Sequence, residues 1–394
     1  MEYAERMKEI KSSSIREILK FTFQPGVISF AAGSPSPLTF PVEEFGEISK
    51  EIFASRAQEA LQYNITEGYP PLVDKIVQYS KKRFDMGRDF DRTLIVTGAQ
   101  QGLDFFAKVF INEGDVVICE NPSFVGGMNA FKSYGARMIG VDLEEDGIDV
   151  NRVEEILRTE KKVKAIYLIP TFQNPSGITM SAKKRKEIYA LAKKHQVLIV
   201  EDNPYGELRY RGEDILPIKA FDEEGLVVYV GTFSKTLSAG MRLGFVVAQE
   251  ELFSKMVLAK QVSDVHTPIY FQILVDEYLS RYDYSAHIKN LQGFYAEKCD
   301  AMLTSLDTYI GDRMQYTRPE GGLFIWCTLP DAIDLDAFTR RAMQEKIAFV
   351  PGYDFMAGST DTCHELRLNF SIPTEEQIET GIKTLGTILK EMNQ

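Results

Sequence analysis

Lys235 sits five residues beyond an apolar run in LVVYVGTFSKTLSAGMRLGFVVA, among the hydroxyls of Thr232, Ser234, Thr236 and Ser238, with Arg242 seven residues further on. An amine in that setting can form an imine with a carbonyl compound; taken alone, a loop lysine is equally a solvated surface group. In VLIVEDNPY, Glu201 and Asp202 follow four apolar residues and Asn203-Pro204 marks a turn. A carboxylate there needs a partner, or else caps the next segment. In TLIVTGAQQGLD, Gly98, Ala99 and Gln100 open a helix whose free N–H groups can receive an anion. By itself, a glycine there is a tight turn.

These three places each follow the carboxyl end of a short apolar strand, which is where open α/β sheets bind ligands. Around them TLIVTG, VVICENP, KAIYLIP, VLIVEDNP, LVVYVGTFSK and LGFVVA alternate with helical patterns: Pro70–Phe84, the segment with Leu103, Phe106 and Phe110, residues 124–134, and AKKRKEIYALAKKH. The alternation predicts βαβ units and a mainly parallel sheet covered on both faces. Ahead of them, the Ser14 to Glu17 spacing predicts a short amphipathic helix, and VISFAAGSPSPLTFP, residues 27–41, predicts an irregular extended arm. Beyond about residue 250, long helical patterns give way to GGLFIWCTL, IAFVPG, LRLNFS and a helix from Glu375, which together predict a smaller α+β unit.

At roughly 150 residues per domain, 394 residues allow two or three domains. Apolar residues at 44% and charged ones at 26% exclude a disordered or fibrous chain. A net charge of −12 argues against nucleic acid and anionic membranes as partners. The sequence shows neither a secretory leader nor an apolar run long enough to cross a bilayer. Cys119, Cys299, Cys327 and Cys363 are scattered, and His195, His266, His287 and His364 lack ligand spacing. No metal site and no disulfide framework is expected, and a reducing cytoplasm suits the chain.

An amine, an acidic partner and an anion nest are together what pyridoxal 5'-phosphate requires, for its aldehyde, its pyridine nitrogen and its phosphate. With TGAQQGLD, NPSF, FQNPSG, EDNPY, TFSKTLSAGMRLG, EGGLFIW and LRLNFS in that order, the chain resembles the fold type I pyridoxal-phosphate aminotransferases of class I/II. It is especially similar to the branch with the 2-aminoadipate and kynurenine aminotransferases, over about residues 27–371. The resemblance implies a mainly parallel seven-stranded sheet covered by helices, with a smaller α+β C-terminal domain. The irregular arm and the later change of pattern divide the chain into an N-terminal helix and arm (1–45), a large cofactor domain (46–285) and a small domain (286–394).

The resemblance also implies roles for single residues. Lys235 matches the lysine joined to the cofactor, whose freed amine moves the Cα proton. Asp202 matches the carboxylate that keeps the pyridine nitrogen protonated, Asn174 and Tyr205 the donors to the phenolic oxygen, and Phe124 the ring over the pyridine face. The phosphate falls to the N–H of Ala99, the N–H or side chain of Gln100, Thr232, Ser234 and Arg242. Tyr63 matches a tyrosine that reaches the phosphate of a neighbouring subunit, so a homodimer with shared sites is expected. Arg367 matches the arginine for the substrate α-carboxylate, beside Asn174 and with Gly33 in the arm; Phe40, Phe324 and Phe355 are weaker candidates for pocket walls. Ala99 and Phe124 depart from the pattern, because many relatives have Ser and Tyr there, and one phosphate hydroxyl is thereby missing.

The implied activity moves the amino group of an L-amino acid, of aminoadipate, aromatic or branched-chain type, to a 2-oxo acid, 2-oxoglutarate foremost, by a ping-pong mechanism. One alternative is a pyridoxal-phosphate lyase or decarboxylase on the same fold. Arg367 argues against it, since a carboxylate held near the ring plane favours C–H loss. The other is a non-catalytic amino-acid sensor, disfavoured by the acidic charge and by the roughly 26 residues before the arm, too few for a winged helix-turn-helix.

Overall fold

The computed structural model describes residue 18, residues 20–358 and residues 363–393. The predicted capping pair Ser14 and Glu17 lies outside the described residues. The large sheet contains β1 (Asp91–Val96), β2 (Val116–Asn121), β3 (Arg137–Glu144), β4 (Gly147–Ile148), β5 (Val163–Leu168), β6 (Leu198–Asp202), β7 (Val227–Thr232) and β8 (Gly244–Gln249). Their spatial order is β1, β8, β7, β6, β5, β2, β3, β4. The expected seven strands are present, and β4 adds a two-residue hairpin return on the end of β3.

Strand β8 runs antiparallel to β1 and β7, while β2, β3, β5, β6 and β7 pair in parallel. The carboxyl ends of β1, β5, β6 and β7 therefore emerge along one edge. These strands read as unbroken apolar runs because helices cover both faces. Val117, Val200 and Val230 pack with Leu103, Phe106 and Phe131 on one side; Ile118, Ile166 and Ile199 pack with Ile156 and Ile188 on the other.

Helix α1 (Pro70–Phe84) starts on its two prolines, whose missing N–H groups cost nothing in a first turn, and ends at Asp85 in the left-handed region, φ 51°. Helices α2 (Ala99–Phe110) and α3 (Val125–Lys132) follow β1 and β2, and α4 (Ala182–His195) begins where the Ser181 hydroxyl accepts the Lys184 N–H. Strand β3 and the helix Val150–Thr159 were not anticipated. RMIGVDLE has only one buried position and a glycine at 140, where a Cβ would lie 2.9 Å from Asn121 and Ala357, so neither an apolar run nor a clean alternation shows in the sequence.

The smaller unit is built on the 26-residue helix α5 (Tyr284–Tyr309) and an antiparallel sheet of β9 (Gln315–Tyr316), β10 (Phe324–Thr328), β11 (Val350–Pro351) and β12 (Glu365–Asn369). It closes with α6 (Glu375–Met392), whose Thr374 and Gln377 form a capping box. The arm is irregular as expected but attached to this unit. Ile28–Ser29 pairs with Ile347–Ala348, and the Asn369 N–H donates to Phe30 O at 2.8 Å.

Candidate active site

A cleft of about 520 Å³ opens between the strand ends and the smaller unit. Its lining brings together Gly33, Ala99, Gln100, Phe124, Asn174, Asp202, Tyr205, Thr232, Ser234, Lys235, Arg242, Phe355 and Arg367, contributed by the arm, six separate loops or strand ends, and β12. Residues up to 336 positions apart in the chain thus meet in one place.

The anion cradle forms where β1 turns into α2. Gly98 has φ 79°, and a Cβ there would lie 2.2 Å from Arg242 Nη2, so glycine is needed both for the turn and for the guanidinium beside it. The first-turn amides of Ala99 and Gln100 point out of the helix start. The Gln100 side chain donates instead to Gly126 O at 2.7 Å, so its contribution is the backbone N–H. Thr232 donates to Ser234 Oγ at 2.9 Å, and Arg242, at φ 51°, reaches that same oxygen at 3.4 Å.

Asp202 ends β6 and is buried. Its Oδ2 accepts the Tyr167 hydroxyl at 3.0 Å, while Oδ1 is buried without a partner among the described residues. Burial pushes its carboxyl up to about 7, against the opposing pull of the Tyr167 bond and of Lys235. The Lys235 Nζ donates to Gly33 O at 2.6 Å. Burial, then the neighbouring charges of Arg367 and Arg242, hold this amine down at about 8, with Asp202 opposing. Tyr205 is buried edge-on to Phe324, with ring centroids 5.7 Å apart, and burial raises its phenol.

Arg367 closes the cleft from β12. The alternative for a lone strand arginine, an exposed surface group, is overturned: it is only 4% exposed, stacked 4.3 Å from the Phe324 centroid and 4.9 Å from that of Phe355. Nη1 donates to Asn174 Oδ1 at 2.9 Å and Nη2 to Ala31 O at 2.8 Å, while Nε has no partner. Among the described residues it makes no ion pair, and burial lowers it to about 10. Tyr205 and Asp354 pull the other way, and a carboxylate brought into the cleft would be drawn to this guanidinium.

Tyr63 does not join the cleft. It is 80% exposed, with its ring edge-on to His266, which also removes its default reading as a packing residue. Phe40 does not line the cleft either, and Phe324 contributes from behind Arg367 and Tyr205. Sequence reasoning missed Tyr167 and Glu120. Glu120 was visible as a lone acid inside VVICEN; buried in β2, its Oε2 accepts the Ile169 N–H at 3.0 Å and Gln173 Nε2 at 3.3 Å, which fixes the loop carrying Asn174. Burial pushes it up to about 7.

Pyridoxal phosphate fits these residues: an unpaired buried carboxylate oxygen for its ring nitrogen, a depressed amine for its aldehyde, and a cradle of amides, hydroxyls and one guanidinium for its phosphate. The profile of the family described as aminotransferase class I and II matches residues 25–385. The chain is 42% identical to the aromatic-amino-acid aminotransferase 1 of Thermococcus litoralis, over 99% of this chain and 94% of that protein. The solved structure of Pyrococcus horikoshii kynurenine aminotransferase, in complex with PMP, superposes with a TM-score of 0.95 at 39% identity, covering 100% and 98% of the two chains. That of the alpha-aminoadipate aminotransferase of Thermus thermophilus, complexed with N-(5'-phosphopyridoxyl)-L-leucine, does so with 0.91 at 37%, covering 99% and 98%.

Proposed function

This chain belongs to the class I and II aminotransferases, a pyridoxal-phosphate enzyme acting on amino acids, and we propose that it takes nitrogen from an L-amino acid with an apolar, foremost aromatic, side chain and passes it to 2-oxoglutarate. The observation that carries this reading is the buried Arg367, without an ion pair among the described residues, in the same cleft as Lys235. Among the described lining residues the charged groups are Asp202, Lys235, Arg242 and Arg367, each with a task already, while Leu103, Val125, Ile169 and Phe355 supply apolar wall for a donor side chain. The aromatic-amino-acid and kynurenine aminotransferases among the relatives are named for aromatic donors, and the alpha-aminoadipate aminotransferase for an acidic one.

The bound cofactor supplies an aldehyde that takes up the amino group and a ring that accepts electrons from Cα. The chain's residues do the rest. Arg367 grips the α-carboxylate through its planar fork and Asn174 braces that fork, which fixes which Cα bond stands ready to break. The Lys235 amine, held by burial below its ordinary pKa, would move the Cα proton. Asp202 Oδ1 would hold the proton on the ring nitrogen, and Asn174 Nδ2 and the Tyr205 hydroxyl would hold the phenolic oxygen. Phe124 would cover the ring face, and Ala99, Gln100, Thr232, Ser234 and Arg242 would hold the phosphate.

The working unit we propose is a homodimer in a reducing cytoplasm. Leu61, Tyr63, Ile65, Val262 and Val265 are all exposed, on the two segments that carry the Tyr63 and His266 ring pair, and a second copy would cover them and bring Tyr63 toward its phosphate. The four cysteines are free, and no helix among the described residues is long and apolar enough to cross a membrane. The boundaries 45/46 and 285/286 remain our division of the chain; the second falls just after α5 begins at Tyr284.

A panel of amino acids against 2-oxoglutarate, read by the cofactor's absorbance in each half-reaction, tests the function. Phenylalanine, tyrosine or kynurenine should react at least tenfold faster than aspartate. Pyruvate and ammonia from the donor, with no conversion of the cofactor to its amine form, would replace transfer with a lyase.

A further inference from the structure

We propose that Tyr167 is a positioning residue for the reaction: its hydroxyl, donated to Oδ2 of Asp202 at 3.0 Å, keeps that carboxylate ionised and turned so that Oδ1 is the oxygen left for the cofactor's ring nitrogen. This rests on the reading of the site given above. Tyr167 lies in β5 directly opposite Val200, and Asp202 is two residues beyond Val200 in β6. Side chains two apart on a strand share a face, so the tyrosine reaches diagonally to the carboxylate from the neighbouring strand.

Nothing else described bonds that carboxylate. Both residues are buried, and a buried carboxylate without donors takes a proton instead of staying charged. Lys235 attracts its negative charge, Glu120 from β2 repels it, and Tyr205 and Tyr229 are close without bonding to it. A neutral Asp202 could not hold a positive ring nitrogen. The tyrosine ring is itself set by Phe131, with centroids 5.4 Å apart. Its hydroxyl has room only because position 127 in α3 is glycine: a Cβ there would lie 2.3 Å from Tyr167 Oη.

The test uses holoenzyme reconstituted with pyridoxal phosphate isotopically labelled at the ring nitrogen. In Tyr167→Phe, which keeps the ring and its packing, the nitrogen resonance should move toward the unprotonated pyridine position. The cofactor dissociation constant should rise roughly 10- to 100-fold, the range set by one hydrogen bond to a charged group. Gly127→Ala, with Tyr167 intact, should shift the resonance in the same direction by displacing the hydroxyl. A resonance unmoved in both variants, with cofactor affinity unchanged, would overturn the proposal even if turnover fell. If wild-type protein binds no pyridoxal phosphate, the functional reading fails instead.

Discussion

The depressed Lys235 amine can be measured without any turnover. At pH 7 an amine of ordinary pKa 10.5 is neutral in roughly 0.03% of molecules, whereas one held at about 8 is neutral in roughly 9%, a gain of about 300-fold in reactive amine. Competitive labelling of the apoprotein with acetic anhydride from pH 6 to 11, followed by mass spectrometry of the peptide spanning 235, should therefore give a half-maximal rate near pH 8. Arg367→Met removes the cation that weighs most after burial, and Arg242→Met the next, so both should move the midpoint upward. The same shift is a stability term. Between about 8 and 10.5 the unfolded chain binds more protons at this lysine than the folded one, so apoprotein stability rises with pH across that window. Two and a half pH units correspond to roughly 3 kcal/mol. A wild-type midpoint at 10 or above would refute the account of a dry amine between two guanidinium groups.

Three further outcomes follow from the geometry. Arg367→Lys keeps the charge but loses the planar fork, so KM for the amino donor should rise roughly 10- to 100-fold, about 1.4 to 2.8 kcal/mol, in steady-state kinetics. Leu61→Asp combined with Val262→Asp places charge on the exposed apolar surface, and sedimentation should then find monomers with little activity; a stable active dimer would remove the proposed interface. Lys219, whose Nζ is buried between Asp91 at 2.6 Å and Asp222 at 2.8 Å, holds β1 to the loop before β7. Lys219→Met strands two buried carboxylates and should cost about 3–5 kcal/mol in denaturant unfolding.

How much of this could be read from the residues depended on how local each signal was. Helix α1 is legible at the residue where it begins because two prolines announce a first turn; α4 and α6 also begin where their patterns place them, and the structure adds a serine cap and a capping box there. The central strands were found because burial on both faces writes itself as continuous Val and Ile. Strand β3 has one face at the solvent edge of the covered sheet and a glycine in the middle, and left no such trace. The edge of the sheet that hosts chemistry was legible for the same reason as the strands: Gly98, Asp202 and Lys235 each interrupt or follow an apolar run.

Relations across the sheet were not legible in this way. Asp202 and Lys235 declare themselves by being polar where apolar residues are expected, but Tyr167 sits in KAIYLIP as one more aromatic in a strand, and its hydroxyl leaves no mark on composition or period. Only the register that places it opposite Val200, and the empty space above Gly127, turn it from core into a donor. Arg367 is the converse case. Its motif pointed to the α-carboxylate, yet the feature that makes the assignment physical, a guanidinium 4% exposed with no direct ion pair among the described residues, depends on Phe324, Phe355, Asn174 and Ala31 meeting from four separate segments. A motif can name the residue that binds charge; that its guanidinium is buried between two rings and open to an arriving carboxylate is visible only when the surrounding segments are in place.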